Sequence, residues 1–433
     1  TAEFWGSSSN RYLYVQDAVG PWNGIVCFEY GGWDSFDFIS TSGIVNSVAE
    51  GDSVTVTGTV DEYYGLTEIV DVTEVIIHGP AVNMISPAVV TPGQIMTGGS
   101  DAEAYEGCLV KVENVTVDNA DLGNGEWSVT VGTDTLRIDD IWDYYYFPES
   151  GQALAGVAGV MTYTYSNAKL EPRLARDVVE ADGEPVRMQR IQQVLYSDLL
   201  LAGEDHESDI SYMYGETVTI EGIVTMPTGL SYAGNGIKFI FQDENGGTWS
   251  SILSYDPDSS AFPFLYEGDR VQATGYVDEY TTNAANMTEL FITTPINILE
   301  VGVDVPEVAV IETGDLRWPT EAEQWGNVMV KVEDAIVTES GAPSSNDGFM
   351  GIDDGSGQVY VDHDSDSLYT WYNTYGSPPE GTFVSFVRGW VYHHFGSYSD
   401  STTYKLTPLY VSDIEFGAGP PVFSDVSRDP CAP

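Results

Sequence analysis

The sequence predicts an all-β chain, built as a two-part unit written twice. Three observations carry this. First, apolar and polar residues alternate with period two in DSVTVTGTV, TVTIEGIVT, DRVQATGYV and LVKVENVTV. Second, turn-forming clusters such as DENGG, GNGE, DDGSG and SPPEG punctuate the runs. Third, the first half of the chain is similar to the second half, segment by segment. Helical periodicity is nearly absent. The best helical stretches are short, at Met188–Leu200 and Leu316–Trp325.

The elements follow in order. Residues 1–90 form part A of the first copy. Its YVQDAVGPWNGIVCF matches IFQDENGGTWSSILSY, and its VAEGDSVTVTGTVDEY matches LYEGDRVQATGYVDEY. Residues 91–183 form part B. There EGCLVKVENVTV matches GNVMVKVEDAIV, and KLEPRLARDVV matches KLTPLYVSDIE. Residues 184–303 and 304–418 are the second copies of A and B, and 419–433 is an extended tail. Roughly 90 to 110 residues per part, with about five short strands, suits a small closed barrel or sandwich.

The series VTIEGIVT, FIFQD, EGDRVQATGYVDEY and TEL resembles the OB-fold modules found in tandem in secreted bacterial proteins. The resemblance spans essentially the whole chain in four modules. It implies neighbours such as extracellular nuclease, phosphatase or surface-anchoring domains. The tail GPPVFSDVSRDPCAP resembles the first strand of an immunoglobulin-like domain. On this reading the first barrel lacks its N-terminal strand, because it begins where the third barrel's strand Val218–Val224 has just ended. Thr1 then reads as a processing or domain-cut site. The exposed edge is expected beside Tyr12 and Tyr14. The expected donor is the tail of a neighbouring copy through Val422, Phe423 and Val426, with Cys431 near the junction. The competing donor is an upstream segment like Val218–Val224.

Composition bounds the function. The chain has 433 residues, 67 Asp and Glu against 15 Lys and Arg, and a net charge of −52. Such a field repels phosphate backbones, so no nucleic-acid partner is expected. No run approaches a membrane helix, so no membrane insertion is expected. The three cysteines, Cys27, Cys108 and Cys431, form no CxxC pair. Cys27 and Cys108 read as small buried hydrophobes. A secreted, extracellular or cell-surface location fits this balance.

The chemistry-bearing residues form no catalytic set. There is no GxSxG elbow, Walker loop or HExxH. The five histidines are His78, His206, His363, His393 and His394. His393 and His394 lie in the strand-like WVYHHFG, where neighbours face opposite sides, and are expected on a strand surface. Acidic turns suggest calcium. Asp362, Asp364 and Asp366 alternate as in an EF-hand loop, but the sixth position is Ser367 and the twelfth Asn373, so the EF-hand fails. Asp118, Asp121 and Glu126, and Asp139, Asp140 and Asp143, are further calcium candidates against the plainer reading of solvated turns. No cofactor is required. The aromatic clusters DIWDYYYFPE and SLYTWYNTYG are read as packing first and as protein contact second, with carbohydrate stacking a further reading. The sequons at Asn114 and Asn286 carry no assigned function.

The expectation is a non-enzymatic, secreted structural protein that assembles head to tail with other copies of itself into a fibre, by strand complementation. The alternative is an accessory binding or anchoring region of a larger secreted nuclease or phosphatase.

Overall fold

The computed structural model describes residues 2–5, 11–29, 38–40, 43–45, 48–142, 144–202, 206–282, 285–342 and 348–417. The chain is almost all β and forms small barrels in four sheets, a tandem OB-like array. It divides into two units, Thr1–Asp198 with Val218–Ile220, and Leu199–Thr217 with Glu221–Pro433. Among the described residues, no helix is long and apolar enough to cross a membrane.

In the first unit, the first sheet holds β1 (Ala2–Trp5), β2 (Arg11–Gln16), β3 (Gly24–Glu29), β4 (Phe38–Ser40), β5 (Gly43–Val45), β6 (Asp52–Tyr63) and β7 (Leu66–Pro80). Its order is β1-β2-β3-β7-β4-β5, with β6 on β7. The second sheet holds β8 (Ala88–Val90), β9 (Leu109–Gly123), β10 (Glu126–Val131), β11 (Asp134–Ile138), β12 (Ala153–Thr164), β13 (Asn167–Glu171) and β14 (Val178–Glu180). Here β9, β10 and β11 form a meander, β11 meets β13 in parallel, and β12 closes onto β9 from Ala153 to Val160. Closure removes the open edge that a flat sheet would leave. The alternating residues fill the interior: Val110, Val112, Val129, Leu136, Ile138, Val157 and Leu170 are buried together.

The second unit repeats the plan. The third barrel is β15 (Thr217–Met226), β16 (Ile237–Gln242), β17 (Ser251–Asp256), β18 (Arg270–Thr281), β19 (Asn286–Ile292) and β20 (Asn297–Glu300), with β15 paired to both β16 and β18. The fourth is β21 (Ala309–Val310), β22 (Met329–Ser340), β23 (Met350–Asp353), β24 (Val359–Val361), β25 (Phe383–His393), β26 (Tyr404–Thr407) and β27 (Ile414–Phe416), closed by β22 on β25. The same parallel contact recurs in all four barrels, at Cys27–Ile69, Ile138–Leu170, Ser254–Leu290 and Val361–Leu406. That shared crossing is the structural form of the sequence repeat.

Within each unit, the A and B barrels share an apolar seam. In the first unit it joins Tyr14, Val26 and Leu66 to Leu109, Trp142 and Val160. In the second it joins Met226, Ile240, Leu253 and Met287 to Met329, Trp390, Tyr392 and Leu409. Trp390 Nε1 donates to Thr225 Oγ1 across that seam at 3.2 Å, as a buried indole requires.

The helical expectations resolve into shorter pieces. The stretch 188–200 is broken into Met188–Gln192 and Tyr196–Ala202. Around Trp318–Pro319 the chain makes three single turns, Thr313–Leu316, Pro319–Ala322 and Glu323–Trp325. Pro319 explains the break, since it disfavours helix at the residue before it. One helix has no counterpart in the sequence reading. Asp366–Tyr375 starts at Ser365, whose side chain accepts from Leu368 N. It packs Leu368, Trp371 and Tyr372 against the fourth core. Trp371 and Tyr372 of SLYTWYNTYG therefore pack while Tyr369 and Tyr375 stay exposed, and Tyr144 and Tyr146 of DIWDYYYFPE pack in the second core.

Candidate functional site

The first barrel differs from the third at one edge. Residues of β1 pair with β2, from Ala2–Tyr14 to Trp5–Arg11. The backbone edge expected to lie open beside Tyr12 and Tyr14 is therefore taken by the chain itself, a correction to the sequence reading. Tyr14 is turned into the seam, with its ring 5.6 Å from that of Trp142. The opening lies one strand further round. In the third barrel β15 pairs with β18, whereas among the described residues β6 pairs with β7 alone. The side chains register the difference. Val271, Ala273 and Val277 of β18 are 0% exposed. Their counterparts in the repeat are Val54 and Val56, only half-buried, and Val60, 69% exposed. Val422, Phe423, Val426 and Cys431 lie outside the described residues. Cys27 is a buried free thiol in the first core, so it is not placed to meet an exposed partner cysteine.

The acidic turns separate into three cases. Asp118 and Asp121 are exposed on the β9–β10 hairpin, and among the described residues they join no third ligand. Asp121 Oδ1 accepts instead from Gly123 N at 2.7 Å. Asp143 lies outside the described residues. Glu126 and Asp139 are drawn into the protein by Lys169, which is 2% exposed and lies 2.6 Å from a carboxylate oxygen of each. Burial alone would lower the Lys169 pKa. The hydrogen bonds to Asp139 and Glu126 outweigh it and raise the pKa.

Beside this cluster Glu171 is fully buried, and burial, reinforced by Asp139, holds its carboxyl well above the usual range. A raised carboxyl contributes stability that is present below the unfolded pKa and lost as pH rises toward the folded one. Glu171→Gln is therefore expected to stabilise the chain at pH 8 relative to wild type, with little change near pH 4. Urea midpoints at the two pH values check this. An equal effect at both would refute it.

The third case is centred on β25. His393 and His394 are not on a strand surface: they are 2% and 8% exposed. The end of β25 is enclosed on both sides, so the alternation of a strand delivers each ring to a different buried acid cluster. On one side His394 meets Asp362 and Asp364, with single ligand atoms of all three within 4.8 Å. Asp366 is not with them, because it begins the helix that follows. Burial and then Lys405 push His394 down to about 3, so its ring is neutral. Burial works against the Asp362 carboxylate, but the His363 hydrogen bond, Lys405 and His394 hold it below the usual range. These groups line one wall of a cavity of about 530 Å³ between the third and fourth barrels. Lys238, whose Nζ lies 5.0 Å from the Tyr392 ring centroid, projects into it, and burial pushes Glu289 up to about 7. Two lysines thus already supply positive charge on this side.

On the other side His393 meets Asp209 and Glu323. Nδ1 lies 3.2 Å from Glu323 Oε2 and 3.8 Å from Asp209 Oδ2. The three side chains are 2%, 8% and 3% exposed. Each is held by a separate partner. His393 Nε2 is hydrogen-bonded to Tyr398 Oη at 2.8 Å, Tyr404 Oη donates to Glu323 Oε2 at 2.7 Å, and Asn286 Nδ2 donates to Asp209 Oδ1 at 2.9 Å. Sequence reasoning missed this set because its members come from residues 209, 323 and 393, far apart in the chain.

No protein-family profile matches the chain, and no curated protein sequence does. Solved structures do. The tetrameric p202 HIN2 matches at 12% identity over 44% of this chain and 92% of that one, with a TM-score of 0.18. A murine DNA binding protein bound with double-stranded DNA matches at 9% over 45% and 99%, TM-score 0.16. The single-stranded DNA binding protein from Thermus aquaticus matches at 9% over 46% and 95%, TM-score 0.17. The likeness concerns the fold. DNA-binding proteins stand among these structures, against the expectation of no nucleic-acid partner. The charge argument alone does not exclude such a partner, because −52 is a sum over the whole molecule, whereas a bound strand feels charges within about 8–10 Å.

Proposed function

We propose that the chain is a non-enzymatic, secreted structural unit that joins copies of itself by strand complementation at β6. One observation supports this best: Val60 is 69% exposed where its repeat counterpart Val277 is fully buried. At that counterpart the chain supplies its own cover, because Val277 exchanges hydrogen bonds with Gly215 and Glu216 just ahead of β15. A strand laid on β6 would pair with its edge away from β7, which among the described residues no other strand takes, and would cover Val54, Val56 and Val60. Burying an exposed aliphatic side chain such as Val60 contributes roughly 1.5–3 kcal/mol, and the half-buried Val54 and Val56 add a smaller share. The occupant is the 420–433 tail of a neighbouring copy, whose Val422, Phe423 and Val426 bring matching apolar groups. Head-to-tail contacts that do not close generate filaments.

The test is deletion of Pro420–Pro433, followed by addition of the deleted segment as a peptide. Native mass spectrometry is expected to show polymers for the full chain and monomers for the truncated one. The peptide is expected to bind the truncated chain with a one-to-one mass. Polymers that survive the deletion would refute the tail as donor.

A second reading is favoured by the cavity beside His394. Its size and its mixed lining of Lys238, Asp362, Asp364 and tyrosine rings suit a small polar ligand, as in an accessory binding region.

A further inference from the structure

We infer that Asp209, Glu323 and His393 form a binding site for one divalent transition-metal ion of the zinc class. Its role is to tie the segment before the third barrel to the junction with the fourth. The donor set is one imidazole nitrogen and two carboxylate oxygens, with single ligand atoms of all three within 4.8 Å. Zinc binds such atoms at about 2.0–2.2 Å, which places tetrahedral ligands roughly 3.3 Å from each other. The 3.2 Å separation from His393 Nδ1 to Glu323 matches that spacing, and the 3.8 Å one to Asp209 is wider by about half an ångström.

A second observation points into the same space. His393 Nδ1 and Asp209 Oδ2 are both buried without a hydrogen bond, even though Nδ1 is 3.2 Å from Glu323. Buried polar atoms are rarely left so. Each side chain also has an outer partner: His393 Nε2 has Tyr398, Asp209 Oδ1 has Asn286, and Glu323 Oε2, the oxygen that faces His393, also accepts from Tyr404, whose ring stacks on His393 at 3.9 Å. Outer partners of this kind orient metal ligands and fix the imidazole ring. The charge balance separates this side of β25 from the other. Around His394, Lys238 and Lys405 act on the acids. Around Asp209, after burial, the acting groups are Glu323, His393, Asn286 and Glu279, with no lysine or arginine among them. Two facing carboxylates taken out of water need either a proton or a cation between them.

The set also belongs to the second half alone. Aligned through EGCLVKV and GNVMVKV, the first half keeps an acid, Glu103, opposite Glu323. Aligned through the β12 and β25 strands, it has Tyr163 in place of His393. The site is therefore not a by-product of the repeated barrel plan.

The test uses the full chain stripped with a chelator and titrated with Zn²⁺ by calorimetry, and with Co²⁺ by visible absorption. One equivalent of Zn²⁺ is expected to bind at micromolar concentration or tighter. Co²⁺ is expected to give the intense bands of low-coordinate cobalt. His393→Gln and Asp209→Asn should each weaken binding by about a hundredfold or more, while His394→Gln leaves it unchanged. Should a variant fail to fold, anomalous scattering at the zinc edge from wild-type crystals locates the ion independently. Absence of stoichiometric binding, or an ion located beside His394, would overturn the assignment. So would an NMR titration showing that a His393 imidazolium holds the cluster in the presence of excess Zn²⁺.

Discussion

Lys169→Ala is expected to destabilise the first unit by about 3–5 kcal/mol, the range for removing one member of a buried ion cluster. The reason is the pair of carboxylates left behind. Lys169 reaches Glu126 and Asp139 at 2.6 Å from inside the barrel, and Arg137 helps Glu126 from the exposed side. Burial opposes the Glu126 carboxylate, but Lys169 and Arg137 hold its pKa below the ordinary value. Its contribution is thus present above the unfolded carboxylate pKa and fades as pH falls through the folded one. Without the ammonium the acids must take up protons or draw in water. Urea denaturation at pH 7 measures the loss. The triple change Lys169→Met, Glu126→Gln, Asp139→Asn removes charge and counter-charge together, and is expected to recover most of it. A loss under about 1 kcal/mol for Lys169→Ala would show that Arg137 and solvent carry the acids unaided.

Gly159→Ala is expected to cost about 3 kcal/mol, the upper part of the usual range for overpacking. A Cβ at this position would lie against the Glu171 carbonyl and 2.8 Å from Pro172 N, both backbone, which no rotamer change can relieve. The glycine sits in β12, next to the Val160–Glu171 pair that locks β12 to β13. The same residue recurs in each part, in TGTV, AGVM, TGYV and RGWV. At Gly275 and Gly389 the obstacle is again the backbone of the following strand, at Phe291 and Thr407. Thermal melts of Gly159→Ala should fall by roughly 2–4 °C per kcal/mol for a unit of this size. A melt unchanged within error would mean the two strands separate without cost.

Much of the barrel plan was legible because it is local. The alternation in DSVTVTGTV and LVKVENVTV names strands and faces without reference to the rest of the chain. The repeat pointed to a missing first strand in the first barrel, with the open edge expected beside Tyr12 and Tyr14. The edge was misassigned by one strand, because residues 2–5 were not recognised as a strand able to pair with β2. The histidines show where local reasoning stops. WVYHHFG does alternate, but alternation assumes that one face meets water, and β25 ends between two packed barrels. Spacing could not bring Asp209, Glu323 and His393 together, since closure of β25 on β22 and the turn at 323–325 do so in three dimensions. DHDSDS was read as one acidic loop. In the fold it is cut in two by the helix N-cap at Ser365, which leaves Asp362 and Asp364 inside and Asp366 outside.

The central claim is that β6 is an edge completed from outside its own barrel. The most direct measurement is amide hydrogen exchange resolved along residues 52–63 and 270–281, in the truncated monomer and in the assembled full chain. In the monomer, amides of Asp52–Tyr63 that do not pair with β7 are expected to exchange fast, and those of Arg270–Thr281 slowly. On assembly the first set should become protected while the second stays as it was. Slow exchange throughout β6 in the monomer, or an assembly that leaves β6 as fast as before, would contradict the account.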